Sequence, residues 1–229
     1  MIYKKITYLF FSRFGHQDSV SCITSGITCD FLTGGGKDGT VRIWKTADEV
    51  QLVFNHPQSA SVEALEKINA EYFTTISDNG QICVWSSRKK TPLCSKFQAH
   101  GIDPTNDTAR WLTALAVLNC ADLMATGKYE HIFFLLMLKN IQTKYMVFFP
   151  YSSGSYDGFL RLWKIDPKTK SIQPVQEYEL KGFINSISFT SDGKFLLVAV
   201  GQEHKCGRWW SIKETKNQLV CFPLNFETE

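Results

Sequence analysis

Paired cysteines, long apolar runs and a strong charge of either sign are all missing from this 229-residue chain. The seven cysteines (Cys22, Cys29, Cys83, Cys94, Cys120, Cys206 and Cys221) are scattered, odd in number and never arranged as C-x-x-C. That pattern predicts neither a zinc site nor a disulfide framework. It fits a reduced intracellular compartment in which they serve as small buried apolar residues. The five histidines (His16, His56, His100, His131, His204) show no metal-ligand spacing either. A bilayer span needs about 20 apolar residues. Residues 132–138 are apolar but Lys139 ends the run, and the apolar stretch at residues 8–11 is too brief for a secretory signal. Neither a metal, a cofactor nor a membrane is expected.

The formal net charge is only +3. Lys4, Lys5 and Arg13, followed by three lysines against one acid within residues 128–154, supply more than all of it. The rest of the chain is slightly acidic, which excludes a diffuse basic surface and leaves room only for local contact with nucleic acid. Catalytic signals are absent as well. Gly34-Gly35-Gly36-Lys37-Asp38-Gly39-Thr40 lacks the G-K-[ST] ending of a phosphate loop and precedes a strand. Glu203 and His204 are merely chain neighbours, with no identifiable nucleophile or supporting donors. The sequence predicts no enzyme and no small-molecule substrate.

What is present is aromatic and repetitive. Aromatic residues make up 14% of the chain, and three segments share one ending. These are Lys37-Asp38-Gly39-Thr40-Val41-Arg42-Ile43-Trp44, Asp78-Asn79-Gly80-Gln81-Ile82-Cys83-Val84-Trp85 and Tyr156-Asp157-Gly158-Phe159-Leu160-Arg161-Leu162-Trp163, with a weaker fourth at Cys206-Gly207-Arg208-Trp209-Trp210. An Asp-Gly or Asn-Gly pair followed by alternating residues signals a hairpin. A β-type run precedes each turn (residues 30–33, 72–76, 123–126 and 195–200), and further runs lie before these and after the tryptophans. Trp44 and Trp85 are roughly 40 residues apart, the period of a four-stranded propeller blade.

These repeats resemble the WD-repeat family. The resemblance implies an all-β WD40 β-propeller, with about four blades present of an expected seven. It also implies a tetrad of His, Ser or Thr, Asp and Trp that ties each inter-blade loop to its blade. The third blade offers His100, Ser155, Asp157 and Trp163. The first offers His16, Asp38 and Trp44, with Gly36 where the hydroxyl is expected. The second offers His56, Ser77 and Trp85, with Asn79 in place of Asp, and the fourth has Trp210 as its blade tryptophan and His204 where Asp is expected. All these residues are read as structural.

Two segments depart from the repeat. The register begins near Phe14, so residues 1–13 are a segment outside the family and residues 14–229 a partial propeller. Deleting residues 128–154 leaves L-M-A-T-G-S-Y-D-G-F-L-R-L-W, an uninterrupted blade. Gly127-Lys128-Tyr129 can be encoded by a splice donor, and residues 148–154 by a pyrimidine-rich acceptor. This insertion is therefore read as a retained intron, the alternative being a genuine blade-edge loop.

Gly182-Phe183-Ile184-Asn185-Ser186 and Val200-Gly201-Gln202-Glu203-His204-Lys205-Cys206-Gly207-Arg208-Trp209-Trp210-Ser211-Ile212-Lys213 closely resemble the last repeat of the WD-repeat proteins of the U3 small nucleolar ribonucleoprotein. That resemblance implies a non-enzymatic nucleolar subunit. Its partners would be U3 small nucleolar RNA, a box C/D kink-turn-binding protein and small-subunit processome proteins, in pre-rRNA processing towards 18S rRNA. A generic WD40 protein-interaction scaffold is the alternative. The departure of Gln202-Glu203-His204-Lys205 from an Asp-Gly turn marks a contact loop. Lys205 and Arg208 are expected on phosphate and His204 or Trp209 on a base, beside Gln202 and Glu203. Four blades of seven would leave open edges. The chain is thus expected to be incomplete and aggregation-prone when expressed alone; a monodisperse, cooperatively melting monomer contradicts that.

Overall fold

Alternating apolar and polar residues bounded by Asp-Gly-type turns build a succession of antiparallel meanders. The computed structural model describes residues 12–26, 30–103, 107–118, 123–128, 157–205 and 207–224, with the backbone alone for residues 128, 157, 158 and 208–210. The first sheet runs β1 (Val20–Ser25), β2 (Phe31–Gly35), β3 (Thr40–Lys45) and β4 (Val50–Asn55). The second runs β5 (Val62–Lys67), β6 (Tyr72–Ser77), β7 (Ile82–Ser86) and β8 (Lys89–Lys96). A short ladder of β9 (Ile102–Asp103) and β10 (Thr108–Ala109) leads to the third sheet: β11 (Leu112–Val117), β12 (Leu123–Lys128), β13 (Asp157–Asp166) and β14 (Ser171–Lys181). The fourth begins with β15 (Phe183–Phe189) and β16 (Phe195–Gly201). Next come β17 (Glu203–His204) and β18 (Gly207–Ser211), and then β19 (Gln218–Pro223). Apart from a 3-10 turn at Pro57–Ser59, the described residues contain no helix.

The first strands β1, β5, β11 and β15 touch in succession, which sets the sheets radially around one axis. Three apolar layers fill the gaps between neighbouring sheets. Val41, Phe54, Val62, Phe73 and Trp85 pack between the first two sheets. Ile76, Ile82, Leu112, Met124 and Trp163 pack between the second and third, and Leu160, Ile184, Leu196 and Val198 between the third and fourth. Full burial of one such side chain contributes about 1.5–3 kcal/mol. A typical hydrogen bond adds a net of only about 0.5–1.5 kcal/mol. Packing therefore contributes more than polar contacts to holding the blades together.

Trp44, Trp85 and Trp163 all lie on third strands, as the repeat predicts. Trp85 and Trp163 each face the preceding sheet. β12 and β13 pair with Gly127 opposite Leu160, which is the register of an uninterrupted blade. Lys128, read from the sequence as the first inserted residue, continues β12 opposite Leu112. The remaining insertion, like residues 1–11, lies outside the described residues.

The fourth blade corrects the sequence reading. The strand carrying Trp210 is not the third strand of that sheet: β18 pairs with β17 in a separate ladder. The third strand is instead β19, with Val200 opposite Gln218. No Asp-Gly pair follows Gly201 to close a tight turn, so the chain makes a hairpin excursion over residues 202–217 before pairing resumes. Trp210 therefore does not occupy the blade-tryptophan position.

Candidate functional site

In the first blade, Trp44 Nε1 donates to Thr33 Oγ1 at 2.7 Å, His16 Nε2 lies 2.7 Å from the same oxygen, and His16 Nδ1 lies 2.7 Å from Asp38 Oδ2. One relay satisfies every group: indole N–H to hydroxyl, hydroxyl to Nε2, and Nδ1–H to carboxylate. Burial alone would push the Asp38 carboxyl up. The Thr40 amide at 2.9 Å, His16 and the Gln17 amide at 3.2 Å outweigh it and hold Asp38 below the usual carboxylate value.

The tetrad hydroxyls are not those the sequence suggested. Thr33 fills the role left vacant at Gly36. In the second blade Trp85 Nε1 donates to Thr75 Oγ1 at 2.9 Å, while Ser77 Oγ donates to Asn79 Oδ1 at 2.6 Å and serves the turn. In the third, Thr126 Oγ1 accepts from Trp163 Nε1 at 2.8 Å and lies 2.6 Å from His100 Nε2. Ser155 lies outside the described residues, as does the Asp157 side chain. The geometric reason is register. Trp44, Trp85 and Trp163 lie opposite Phe31, Phe73 and Met124, and the hydroxyl that reaches each indole is two residues further along the second strand on the same face, whereas Ser77 is four residues along. A threonine late in each second strand was the available signal.

The second tetrad is broken. His56 is buried and donates from Nδ1 to Pro57 O at 3.1 Å, and Asn79 Nδ2 donates to Gln58 Oε1 instead. Burial pushes the His56 pKa down, partly offset by the Pro57 bond. Gln81, where the first blade has Thr40, is fully buried with neither amide atom hydrogen-bonded among the described residues. A buried unpaired polar group costs about 1–3 kcal/mol. Gln81→Met is therefore expected to raise stability by about 1 kcal/mol or more, read as a higher denaturant midpoint at unchanged m-value; an unchanged midpoint contradicts it.

The 202–217 hairpin is built by the two sequence signatures acting together. Asn185 Nδ2 donates to Glu203 O at 2.9 Å, and the Phe183 ring stands edge-on to His204 with centroids 5.8 Å apart. Gly182 has φ +126°, and a β-carbon there would lie 2.8 Å from Thr215 Cγ2 and 2.5 Å from Val200 Cγ1. Gly201 admits Asn185 Nδ2, which a β-carbon would meet at 2.6 Å. Within the hairpin Gln202 N donates to Asn217 Oδ1, Ile212 N to Gln202 O and Gln202 Nε2 to Thr215 O. Gly182, Phe183, Asn185 and Gly201 thus form the seat that receives Glu203 and His204.

That seat extends into other blades. Lys205 Nζ donates to Thr113 O on β11 at 2.6 Å and lies 4.0 Å from Glu63 Oε2 on β5. Burial pushes the Glu63 carboxyl up, opposed by the Lys205 charge. A partly exposed ion pair is worth about 0–1 kcal/mol and a hydrogen bond to a charged group about 1.5–3 kcal/mol, so the Thr113 carbonyl is the stronger tether. The His204 ring lies 5.1 Å from that of Trp111 and is 4% exposed. The expectation that His204 stacks on a base is thereby corrected: it is packed between Trp111 and Phe183. Burial and the Lys205 charge both push its pKa down. Gln202 and Glu203 remain half-buried at the hairpin base, and the side chains of Arg208, Trp209 and Trp210 lie outside the described residues. Sequence reasoning missed Glu63, Trp111 and Thr113, which are distant in the chain from the loop they hold. No cluster of His, Cys, Asp and Glu that could hold a metal occurs among the described residues.

Radial four-stranded sheets with tryptophan-centred relays define a WD-repeat β-propeller protein, and the WD domain, G-beta repeat family matches residues 8–45. Mouse U3 small nucleolar RNA-interacting protein 2 is 35% identical over 179 residues, spanning 77% of this chain and 32% of that protein. Ribosomal RNA-processing protein 9 of Saccharomyces cerevisiae is 28% identical over 245 residues, spanning 86% of this chain and 41% of that protein. The solved structure of U3-55K superposes with a TM-score of 0.76 at 36% identity, covering 93% of this chain and 57% of that one. The chain is a relative of the WD-repeat proteins of the U3 small nucleolar ribonucleoprotein, and it spans about a third to two fifths of the length of the relatives it matches.

Proposed function

We propose that this chain acts without catalysis as a subunit of the U3 small nucleolar ribonucleoprotein. It binds U3 small nucleolar RNA alongside a box C/D kink-turn-binding protein and small-subunit processome proteins, and supports pre-rRNA cleavage towards 18S rRNA in the nucleolus. The supporting observation is the 202–217 hairpin, a seated loop in place of the tight turn used by the first two blades. The recognition element is this hairpin, with Gln202, Glu203, Arg208 and Trp209 among its residues. Precipitating the tagged protein from cells and sequencing the bound RNA tests the reading. Enrichment of U3 RNA is expected; recovery of protein partners alone supports a generic scaffold instead.

The segment at residues 128–154 is, in the same reading, translated intron sequence. Transcript reads joining the codons of Gly127 and Ser155 directly are expected, and their complete absence overturns the assignment.

A further inference from the structure

The hairpin has two sides with different work to do. Its inner side is anchored: Lys205 on Thr113 O beside Glu63, His204 between Trp111 and Phe183, and Glu203 O on Asn185. Ile212 and Thr215 are buried beneath the returning arm. Ser211, Lys213, Glu214, Lys216 and Asn217 face solvent on that same arm. Two lysines against one glutamate leave this outer edge cationic, on a loop whose backbone is already held in place.

We propose that Lys205 and His204 are positioning residues that dock the hairpin on the second and third blades, and that contact with the RNA phosphodiester backbone falls to Lys213 and Lys216 on the opposite edge. The inference rests on the reading of the chain as an RNA-binding subunit. It moves the phosphate contact away from Lys205, one of the two cations that the sequence motif suggests. One of the three N–H donors of Lys205 is spent on Thr113 O, and its charge lies beside the Glu63 carboxylate, whereas Lys213 and Lys216 are exposed on the returning arm. Pre-ordering the loop also lowers the entropy cost of binding.

The test uses the full chain and three variants: Lys205→Met, Lys205→Arg and the double Lys213→Gln, Lys216→Gln. Hydrogen exchange at the amides of Ile212 and Thr215 reports docking. Titration with U3 RNA and with an unrelated single-stranded RNA of equal length, each across salt concentrations, reports contact. Lys205→Met is expected to lose roughly tenfold or more of the exchange protection, following loss of a charged hydrogen bond, and to bind more weakly. Lys205→Arg keeps the donor and retains both properties. The double variant keeps full protection, binds both RNAs more weakly, and loses about 0.7 of the salt slope per phosphate contact removed.

Unchanged protection in Lys205→Met overturns the docking. Unchanged affinity and slope in the double variant overturn the outer edge as the contact. Because phosphate contact is independent of sequence, equal binding of the two RNAs with the slope change intact overturns only the U3 reading and leaves the division of labour standing.

Discussion

Trp85→Ala is expected to lower the unfolding free energy by roughly 3–5 kcal/mol, the range for removing a buried tryptophan. Trp85 is fully buried between the first and second sheets and stacks on Phe73 with rings 6.0 Å apart. It also meets Phe54 edge-on and donates to Thr75. Removing it opens a cavity shared by two blades and leaves the Thr75 hydroxyl without its donor. Stabilities of domains are about 5–15 kcal/mol, so this single change removes much of the total. Equilibrium denaturation followed by tryptophan fluorescence and by circular dichroism measures it, and a loss below about 1 kcal/mol contradicts the packing described. Trp85→Phe, which retains most of the ring, is expected to cost distinctly less.

Thr126→Val has the second largest expected effect, although its shape scarcely changes. Thr126 is fully buried and its one oxygen serves both Trp163 Nε1 and His100 Nε2. Valine keeps the volume and deprives two buried nitrogens at once, each at about 1–3 kcal/mol. Thr126→Ser, which keeps the hydroxyl and loses one methyl, is expected to cost about 1 kcal/mol. Chemical denaturation of the pair isolates the relay. A loss in Thr126→Val no larger than that in Thr126→Ser contradicts the weight given to the relay.

The blades were legible because their determinants are local. Alternation, an Asp-Gly or Asn-Gly turn and a terminal tryptophan repeat within a few residues of one another, and Trp44, Trp85 and Trp163 occupy the strands this predicts. Asp38 was legible as part of its turn, whereas His16, 22 residues earlier, was legible only through the resemblance to the WD repeat. The hydroxyls were not, since Thr33, Thr75 and Thr126 are chosen by register, two residues beyond the residue opposite the tryptophan, and Ser77 is nearer the Asn-Gly turn in sequence. The fourth blade misled for a different reason. A strand ending in Trp210 has the look of a third strand, yet pairing is decided by what lies opposite Phe195–Gly201, and Gln218–Pro223 competes successfully for that edge. The receiving residues Glu63, Trp111 and Thr113 left no mark in the loop motif at all. They are joined to it only by the closure of the arc.

That distance along the chain has a kinetic consequence. Neighbouring strands within the first two sheets meet across turns of a few residues, whereas Lys205 reaches a carbonyl 92 positions earlier. Contacts so remote in sequence form slowly, since the intervening chain must be ordered before they reward closure. The meanders are therefore expected to assemble early and the loop to seat last, so that its seating reports completion of the blades beneath it.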